Sequence, residues 1–188
     1  MRNMRGDIIK ETGFDDIQRE YLRDRAGKVV KVLRPEGRWT EYEYDLNGRV
    51  IRADYSDGTW ENYSYDKNGR IIGCLNQDNC ITFERDKMGR VIKETYSSGL
   101  PGDEGISIES EYDIDGNRIR LTSSLGADIN TTFDFQGNVR EIEALNAENK
   151  EKWCAEVRRN ELGLEIEKRM TGGVTIMRSY DQFGRAMS

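Results

Sequence analysis

The sequence predicts an all-β fold: a single antiparallel, twisted and curved meander of about 16–18 strands built from β-hairpin repeats. Three observations predict it. Glycine recurs about every 21 residues, a second turn signal follows most of these glycines by about ten residues, and apolar and aromatic residues hold fixed positions between the turns. Of the 188 residues, 34% are charged and 36% are apolar, which suits a thin sheet with a narrow core.

The ladder of glycines divides the chain into about nine repeats, which we assign to one domain over residues 1–188. Most spacings are 20 or 21 residues, and two longer ones predict insertions near residues 97–105 and 146–151. Because Ala, Glu and Lys concentrate over residues 146–155, some helix is expected there. The ladder consists of Gly6, Gly27, Gly48, Gly69, Gly89, Gly116, Gly137, Gly163 and Gly184.

Most ladder glycines end an Asp-x-x-Gly turn. The aspartate caps the turn with a side-chain oxygen, and the glycine accepts the positive φ that a type I turn followed by a bulge requires. The clearest pairs are Asp45 and Gly48, Asp66 and Gly69, Asp86 and Gly89, Asp113 and Gly116, and Asp181 and Gly184. The second row of turns is predicted at Gly37, Gly58, Asn79, Gly99, Gly126 and Gly173. Two turns per repeat leave strands of about five to seven residues.

The strands between the turns carry β-branched pairs and aromatic residues. Pairs such as Val50-Ile51 follow the ladder glycines, and tyrosines two residues apart precede the aspartates and so share one sheet face. Trp39 and Trp60 have the opposite parity and lie on the second face or follow a bulge. We expect the tyrosines and Val/Ile positions on the buried or concave face. The candidate binding surface is Tyr42, Tyr44, Tyr63, Tyr65, Arg49, Arg70 and Arg90.

The candidate binding surface has more than one interpretation. The tyrosines in register are best explained by packing within the sheet. The alternative is that they form a binding platform for a carbohydrate or a protein. The recurrent arginines and aspartates form either a binding strip for an acidic partner or a solvated edge that blocks further strand addition.

The motif Tyr-x-Tyr-Asp-x-x-Gly-Arg at residues 42–49 and 63–70 resembles the YD repeat of the RHS family. That family includes shell segments of bacterial polymorphic toxins, toxin-complex C components, wall-associated proteins and teneurins. The resemblance covers essentially the whole chain. It implies a long β-sheet strip that spirals into a hollow shell, which in the toxins encloses a toxin domain and is followed by a self-cleaving core.

The chain departs from this family pattern in three ways. Nine repeats are too few to close a family-sized shell, the Asp-Pro-x-Gly-Leu core motif is absent, and no C-terminal extension has the character of a toxin. We therefore expect neither self-cleavage nor toxicity.

The residue types argue against catalysis, cofactors and metals. The sequence has no histidine, which excludes Ser-His-Asp and Cys-His arrangements and makes a zinc site improbable. The loops at residues 45–48 and 113–116 share only a fragment of a calcium-loop pattern, so we interpret their carboxylates as turn caps. Cys74 and Cys80 flank a turn at residues 76–79 and are expected to face each other as a reduced pair.

Charge and hydropathy narrow the partners and the location. A net charge of −6 disfavours nucleic acid and an anionic membrane surface. The sequence has neither an apolar run of membrane-spanning length nor a signal-peptide core, so we expect a cytoplasmic protein, or an extracellular one if it is a fragment of a larger exported RHS protein.

Three functions follow as hypotheses. The first is a non-catalytic protein-binding or scaffold module of a bacterial polymorphic-toxin system. The second is a cytoplasmic immunity protein whose acidity steers it to a basic toxin domain. The third is a carbohydrate-binding surface module that uses the tyrosines. The first two hypotheses make the partner another protein, for which a toxin domain is a candidate. Exposed sheet edges also permit a homodimer.

Overall fold

A computed structural model describes residues 1–14, 16–100, 102–146 and 150–187. In these ranges the chain forms eighteen strands and one short 3-10 turn at Pro35–Gly37. The strands are β1 (Lys10–Thr12), β2 (Gln18–Arg23), β3 (Val29–Leu33), β4 (Trp39–Tyr44), β5 (Val50–Tyr55), β6 (Trp60–Tyr65), β7 (Ile71–Leu75), β8 (Cys80–Arg85), β9 (Val91–Ser97), β10 (Ile106–Tyr112), β11 (Arg118–Ser123), β12 (Ala127–Phe133), β13 (Val139–Asn146), β14 (Lys152–Arg159), β15 (Glu165–Met170), β16 (Val174–Met177), β17 (Ser179–Tyr180) and β18 (Ala186–Met187).

The strands follow one another in space as they do in sequence. β1 to β16 form one sheet in the order of the chain, and β17 pairs with β18 in a two-stranded sheet. The predicted antiparallel meander of 16–18 strands is therefore confirmed. No helix in the described part of the chain is long and apolar enough to cross a membrane.

The chain divides into two compact units. The first comprises Met1–Phe83 and Thr95–Gly105, and the second comprises Glu84–Glu94 and Ile106–Ser188.

The first unit has a tyrosine face and a charged face. Cross-strand pairing sets Tyr42 opposite Ala53 on the tyrosine face, where Ala53 is fully buried. Buried Val32 and Thr40 face each other on the same side. The opposite side pairs Glu43 with Arg52, and we call it the charged face. The core is thus one narrow layer on the tyrosine face.

The second unit repeats this division. Ala155 is fully buried and lies between Ile142 and Met170 on neighbouring strands. The other side carries ion pairs, among them those of the exposed Arg158 and Arg169 with the buried carboxylate of Glu167, each at 2.9 Å. Hydrogen bonds from Arg169 and Arg158 hold the pKa of Glu167 below its usual value, so this buried carboxylate stays ionised.

A bulge follows the turn in six of the hairpins: β2–β3, β4–β5, β6–β7, β10–β11, β12–β13 and β14–β15. The pairing of β17 with β18 shows no such shift. Tyr44 pairs with Val50 while Glu43 pairs with Arg52, so Ile51 is an extra residue on β5. Tyr112 and Arg118 show the same shift in the second unit. The extra residue reverses the alternation along the strand, which sends Arg52 to the charged face and Ala53 to the tyrosine face.

Three predictions are settled by these pairings. Trp39 and Trp60 lie on the charged face, where Lys31 and Arg52 stack over their rings at 4.1 and 5.2 Å. Helix at residues 146–155 is wrong where the chain is described, because β13 ends at Asn146 and β14 begins at Lys152; residues 147–149 lie outside the described ranges.

The expectation that Cys74 and Cys80 face each other is also wrong. Cys80 pairs with Leu75, and Cys74 pairs with Ile81, so the two free thiols lie on opposite faces of the sheet. The turn at residues 76–79 is where the sequence placed it, closed by a 2.9 Å bond from Asn76 N to Asn79 O.

Candidate functional site

Each Asp-x-x-Gly turn is built by its first and fourth residues. Asp45 Oδ1 accepts hydrogen bonds from the backbone N–H groups of Asn47 and Arg49, both at 2.9 Å. Gly48 N donates to Asp45 O at 3.0 Å, and Gly48 takes a φ of 83°. Hydrogen bonds from the backbone N–H and the guanidinium of Arg49 keep the pKa of the Asp45 carboxyl below its ordinary value. Partial desolvation acts in the opposite direction and raises this pKa, but the hydrogen bonds outweigh it.

The residue after the glycine links its turn to the next repeat. Arg49 forms an ion pair with Asp45 at 2.6 Å, donates to Asp66 O at 3.2 Å, and stacks 4.6 Å above the centroid of the Tyr65 ring. Arg90 does the same in the second unit, with Asp86 at 2.7 Å, Asp113 O at 2.9 Å and the Tyr112 ring at 4.9 Å. Both arginines are half-buried.

Where a tyrosine precedes the turn aspartate, its hydroxyl donates a hydrogen bond to a backbone carbonyl of the preceding repeat. Tyr65 donates its hydroxyl to Val50 O at 2.7 Å, and Tyr44 donates to Val29 O at 2.6 Å. Tyr112 and Tyr180 repeat the bond in the second unit at 2.9 and 2.8 Å. We call this set of contacts, the arginine over the ring and the hydroxyl on the carbonyl, the repeat joint.

Arginine replaces tyrosine in some repeats without loss of the bond. Arg23 donates to Ile8 O at 3.0 and 3.1 Å, and Arg159 donates to Val139 O. A long side chain with a donor at its tip is therefore what the position before the aspartate requires. Phe133 occupies the same position as a departure from this rule.

The predicted site residues thus have different surroundings. Tyr44, Tyr65, Arg49 and Arg90 belong to repeat joints. Tyr42 and Tyr63 are half-buried on the tyrosine face, and Arg70 is exposed beside its turn. Six of the seven lie in the first unit and Arg90 lies in the second.

A carboxylate between two tyrosines was missed by the sequence analysis. Glu61 lies on the tyrosine face, where it accepts hydrogen bonds from Tyr55, at 2.9 Å, and from Tyr63. Burial and the Glu61 bond raise the pKa of Tyr55 to about 12 and that of Tyr63 further, so both hydroxyls stay protonated. The alternation along β6 would have placed Glu61 beside Tyr63.

One cluster in the described residues has metal-ligating atoms close together: Glu141, Glu143 and Cys154. The Cys154 thiol donates to Glu141 at 3.2 Å, which raises the pKa of that thiol, and Glu143 forms an ion pair with Lys152. A protonated thiol and a neutralised carboxylate make a poor ligand set.

An open groove of about 800 Å³ lies in the second unit beside Ile129, Ala144 and Trp153. Of its two lining carboxylates, Asp128 and Glu151, the first is held by Arg120 at 2.9 Å. The rest of its lining combines apolar side chains with polar ones, among them Lys152 and Thr171.

Comparison with known proteins agrees with this architecture. The teneurin YD-shell family model matches residues 27–142, more than half of the chain. No curated protein matches the sequence significantly.

Solved structures share the fold. The crystal structure of TcdB2-TccC3 aligns with a TM-score of 0.80 and 13% identity over 97% of this chain and 11% of that one. TcdB2-TccC3-Cdc42 aligns with a TM-score of 0.79 and 13% identity over 97% and 10%. A Photorhabdus luminescens Tc holotoxin pore carrying a TccC3 mutation gives 0.68 and 14% over 98% and 13%. The chain spans about a tenth of the structures it matches.

Proposed function

Because this chain belongs to the teneurin YD-shell family, we propose that it is a non-catalytic scaffold segment that binds another protein within a bacterial polymorphic-toxin system. Its fold is that of segments in the TcdB2-TccC3 structures. The association with toxin systems is carried over from those proteins.

The repeat joints support the scaffold role. They place the recurrent arginines and tyrosines in contacts between neighbouring repeats, as Arg49 and Tyr65 illustrate. Side chains used in this way hold a sheet together and are not available for a reacting group. Two of the four tyrosines considered for a sugar platform, Tyr44 and Tyr65, are engaged in the same contacts, and Tyr63 donates a hydrogen bond to Glu61. These bonds favour a structural role for the three tyrosines over carbohydrate binding.

The available carboxylates also favour a non-enzymatic protein. Acid/base chemistry needs two titratable groups whose environments push their pKa values apart. Most turn aspartates with a resolved shift have lowered pKa values from the same cause, hydrogen bonds within the turn, as Asp45 and Asp134 show. They are similar groups in similar surroundings.

The test is reconstitution with a purified partner. Proteins retained on the immobilised chain from its native host are identified, expressed separately and mixed with it in defined amounts. We expect a complex of fixed stoichiometry by light scattering, with the intact mass of the partner unchanged after prolonged incubation. Cleavage or modification of the partner would contradict the non-catalytic role.

A matched pair of variants sharpens this test. Tyr63→Phe removes a hydroxyl from the tyrosine face and should leave complex formation unchanged. Combined Gly48→Val and Gly69→Val substitutions strain two turns and should weaken it. Equal binding by both variants would show that the partner does not recognise the folded array.

The net charge of −6 favours a second candidate, a cytoplasmic immunity protein that binds a basic toxin domain. Co-expression with a toxin encoded beside it should then restore growth of the producing cell, and complex formation should weaken with rising salt. Growth inhibition that persists despite equal expression would reject this candidate and leave the scaffold role standing.

A further inference from the structure

The tips of the Asp-x-x-Gly turns in the second unit carry large apolar residues. Each of its five turns has one at the second or third position, between the opening residue, which is Asn160 in one turn and aspartate in the others, and the glycine. Phe135 is 98% exposed and Ile114 is 92% exposed. We define the tip row as Met88, Ile114, Phe135, Leu162 and Phe183.

Turn chemistry does not account for the tip row. The aspartate and the glycine hold the turn, and the two residues between them are unconstrained. In the first unit these positions include Arg25 and Lys67 beside Met4 and Leu46. An apolar residue at every turn of one unit is a patch of the kind that marks a protein interface.

The spacing of the tips favours a second copy of this chain as the occupant. Adjacent turns are two strands apart, and strands lie about 4.8 Å apart, so the tips repeat at about 10 Å. A partner must match that period along the row. An identical row placed antiparallel has the same period, so the four tips carried by the large sheet, Met88, Ile114, Phe135 and Leu162, can pair through a two-fold, self-complementary interface. Phe183, carried by the separate β17–β18 hairpin, lies beyond this pairing.

Charges beside the tips select one antiparallel register. Lys87 and Glu161 are exposed, and neither forms an ion pair with another described residue. With the two-fold axis between the turns of Ile114 and Phe135, Lys87 of each copy lies opposite Glu161 of the other. An axis through the Phe135 turn would instead set Asp115 against Glu161, which is repulsive.

We propose that two copies of this chain associate through the tip row, antiparallel, with Met88 facing Leu162, Ile114 facing Phe135, and Lys87 facing Glu161. At roughly 150 Å² for each large exposed side chain, the four tips cover on the order of 600 Å² per copy. That area lies at the lower end of the range for specific interfaces, so we expect a weak, reversible dimer.

Sedimentation of the full chain from about 1 to 300 μM tests the proposal over the concentrations at which a small, weak interface associates. We expect a monomer–dimer equilibrium that Phe135→Ser weakens at least about tenfold. Leu125→Ser is the matched control, because Leu125 is also an exposed apolar turn residue but lies in the other row of turns. Its dimerisation should equal that of the unsubstituted chain. A monomer at every concentration, or equal losses in both variants, overturns the proposal.

Charge reversal tests the register. Lys87→Glu alone sets two glutamates together, Glu161→Lys alone sets two lysines together, and each should weaken the dimer. The double variant restores opposite charges and should recover the original dissociation constant. Failure of the double variant to recover it overturns the register, and circular dichroism of each variant confirms that the exposed substitutions leave the fold intact.

Discussion

At the scale of single residues, the fold depends on glycines with left-handed backbone. Gly69 has a φ of 84°, and the nearest atom to an added Cβ is Arg49 Nη1 at 3.7 Å. Space is therefore available, and the cost of a side chain is conformational. Gly69→Val should lower the free energy of unfolding by about 1–2 kcal/mol in urea denaturation.

The control for this prediction is Lys67→Val in the same turn. Lys67 is exposed at an unconstrained position, so the same side chain should change stability by less than about 0.5 kcal/mol. Equal effects of the two substitutions would show that positive φ is not what the turn requires of its fourth residue.

The turn aspartates make the free energy of unfolding depend on pH. The pKa of Asp45 is lowered by the Arg49 N–H, and that of Asp113 by the Asn117 side chain, from an ordinary value of 3.8. A carboxyl whose pKa is lowered by folding stabilises the protein above its unfolded pKa and loses that effect as pH falls. The free energy of unfolding should therefore be steady from pH 7 to about 5 and decrease below about pH 4.

Asp45→Asn separates this effect from capping. The amide oxygen still accepts the backbone N–H groups, but it carries no charge for Arg49. The variant should be less stable than the unsubstituted chain at pH 7 and approach it at pH 3. A stability difference that does not change with pH would assign the role of Asp45 to geometry alone.

At the scale of elements, the repeat joint is tested by removing one hydroxyl. Tyr65→Phe deletes the donor to Val50 O and keeps the ring beneath Arg49. We expect a loss of about 0.5–1.5 kcal/mol in the free energy of unfolding, because a half-buried carbonyl loses its partner. Tyr42→Phe is the control, since no hydrogen bond joins that hydroxyl to another described residue. A larger loss in Tyr42→Phe would contradict the joint.

The sequence predicted the meander because its signals are local. An aspartate and a glycine three positions apart define a turn whatever surrounds them, and the ladder repeats that turn. The bulge after the turn is harder to place, since strict alternation would put Arg52 and Ala53 on the wrong faces. Only the pairing of two strands shows that Ile51 is the extra residue.

Two errors of the sequence analysis have the same origin. Cys74 and Cys80 were judged by their symmetry about a turn, but a four-residue turn sets Leu75 opposite Cys80 and leaves Cys74 one step beyond. Helix near residue 150 was inferred from propensity, which pairing between β13 and β14 overrides. Both features depend on the register of strand pairing, which cannot be inferred from amino-acid composition.

At the scale of the whole molecule, the candidate surfaces were the least predictable part. The tyrosine motif was visible in the sequence, yet the tyrosine before the aspartate and Arg49 join neighbouring repeats. The exposed tips were equally visible, but their significance required knowing that Ile114 and Phe135 occupy equivalent, solvent-facing positions in one unit. Exposure distinguishes an interface residue from a core residue of the same type.

Strands in this chain pair with their sequence neighbours, so a local defect should spread only a short distance. Gly69→Val strains the turn between β6 and β7. Native-state hydrogen exchange, read by mass spectrometry, should then accelerate in β6, β7 and the adjoining strands, and change little in β12 and β13. The matching substitution Gly137→Val should reverse the pattern, because it strains the turn between β12 and β13. Uniform acceleration throughout the chain in both variants would mean that the array unfolds as a single cooperative unit.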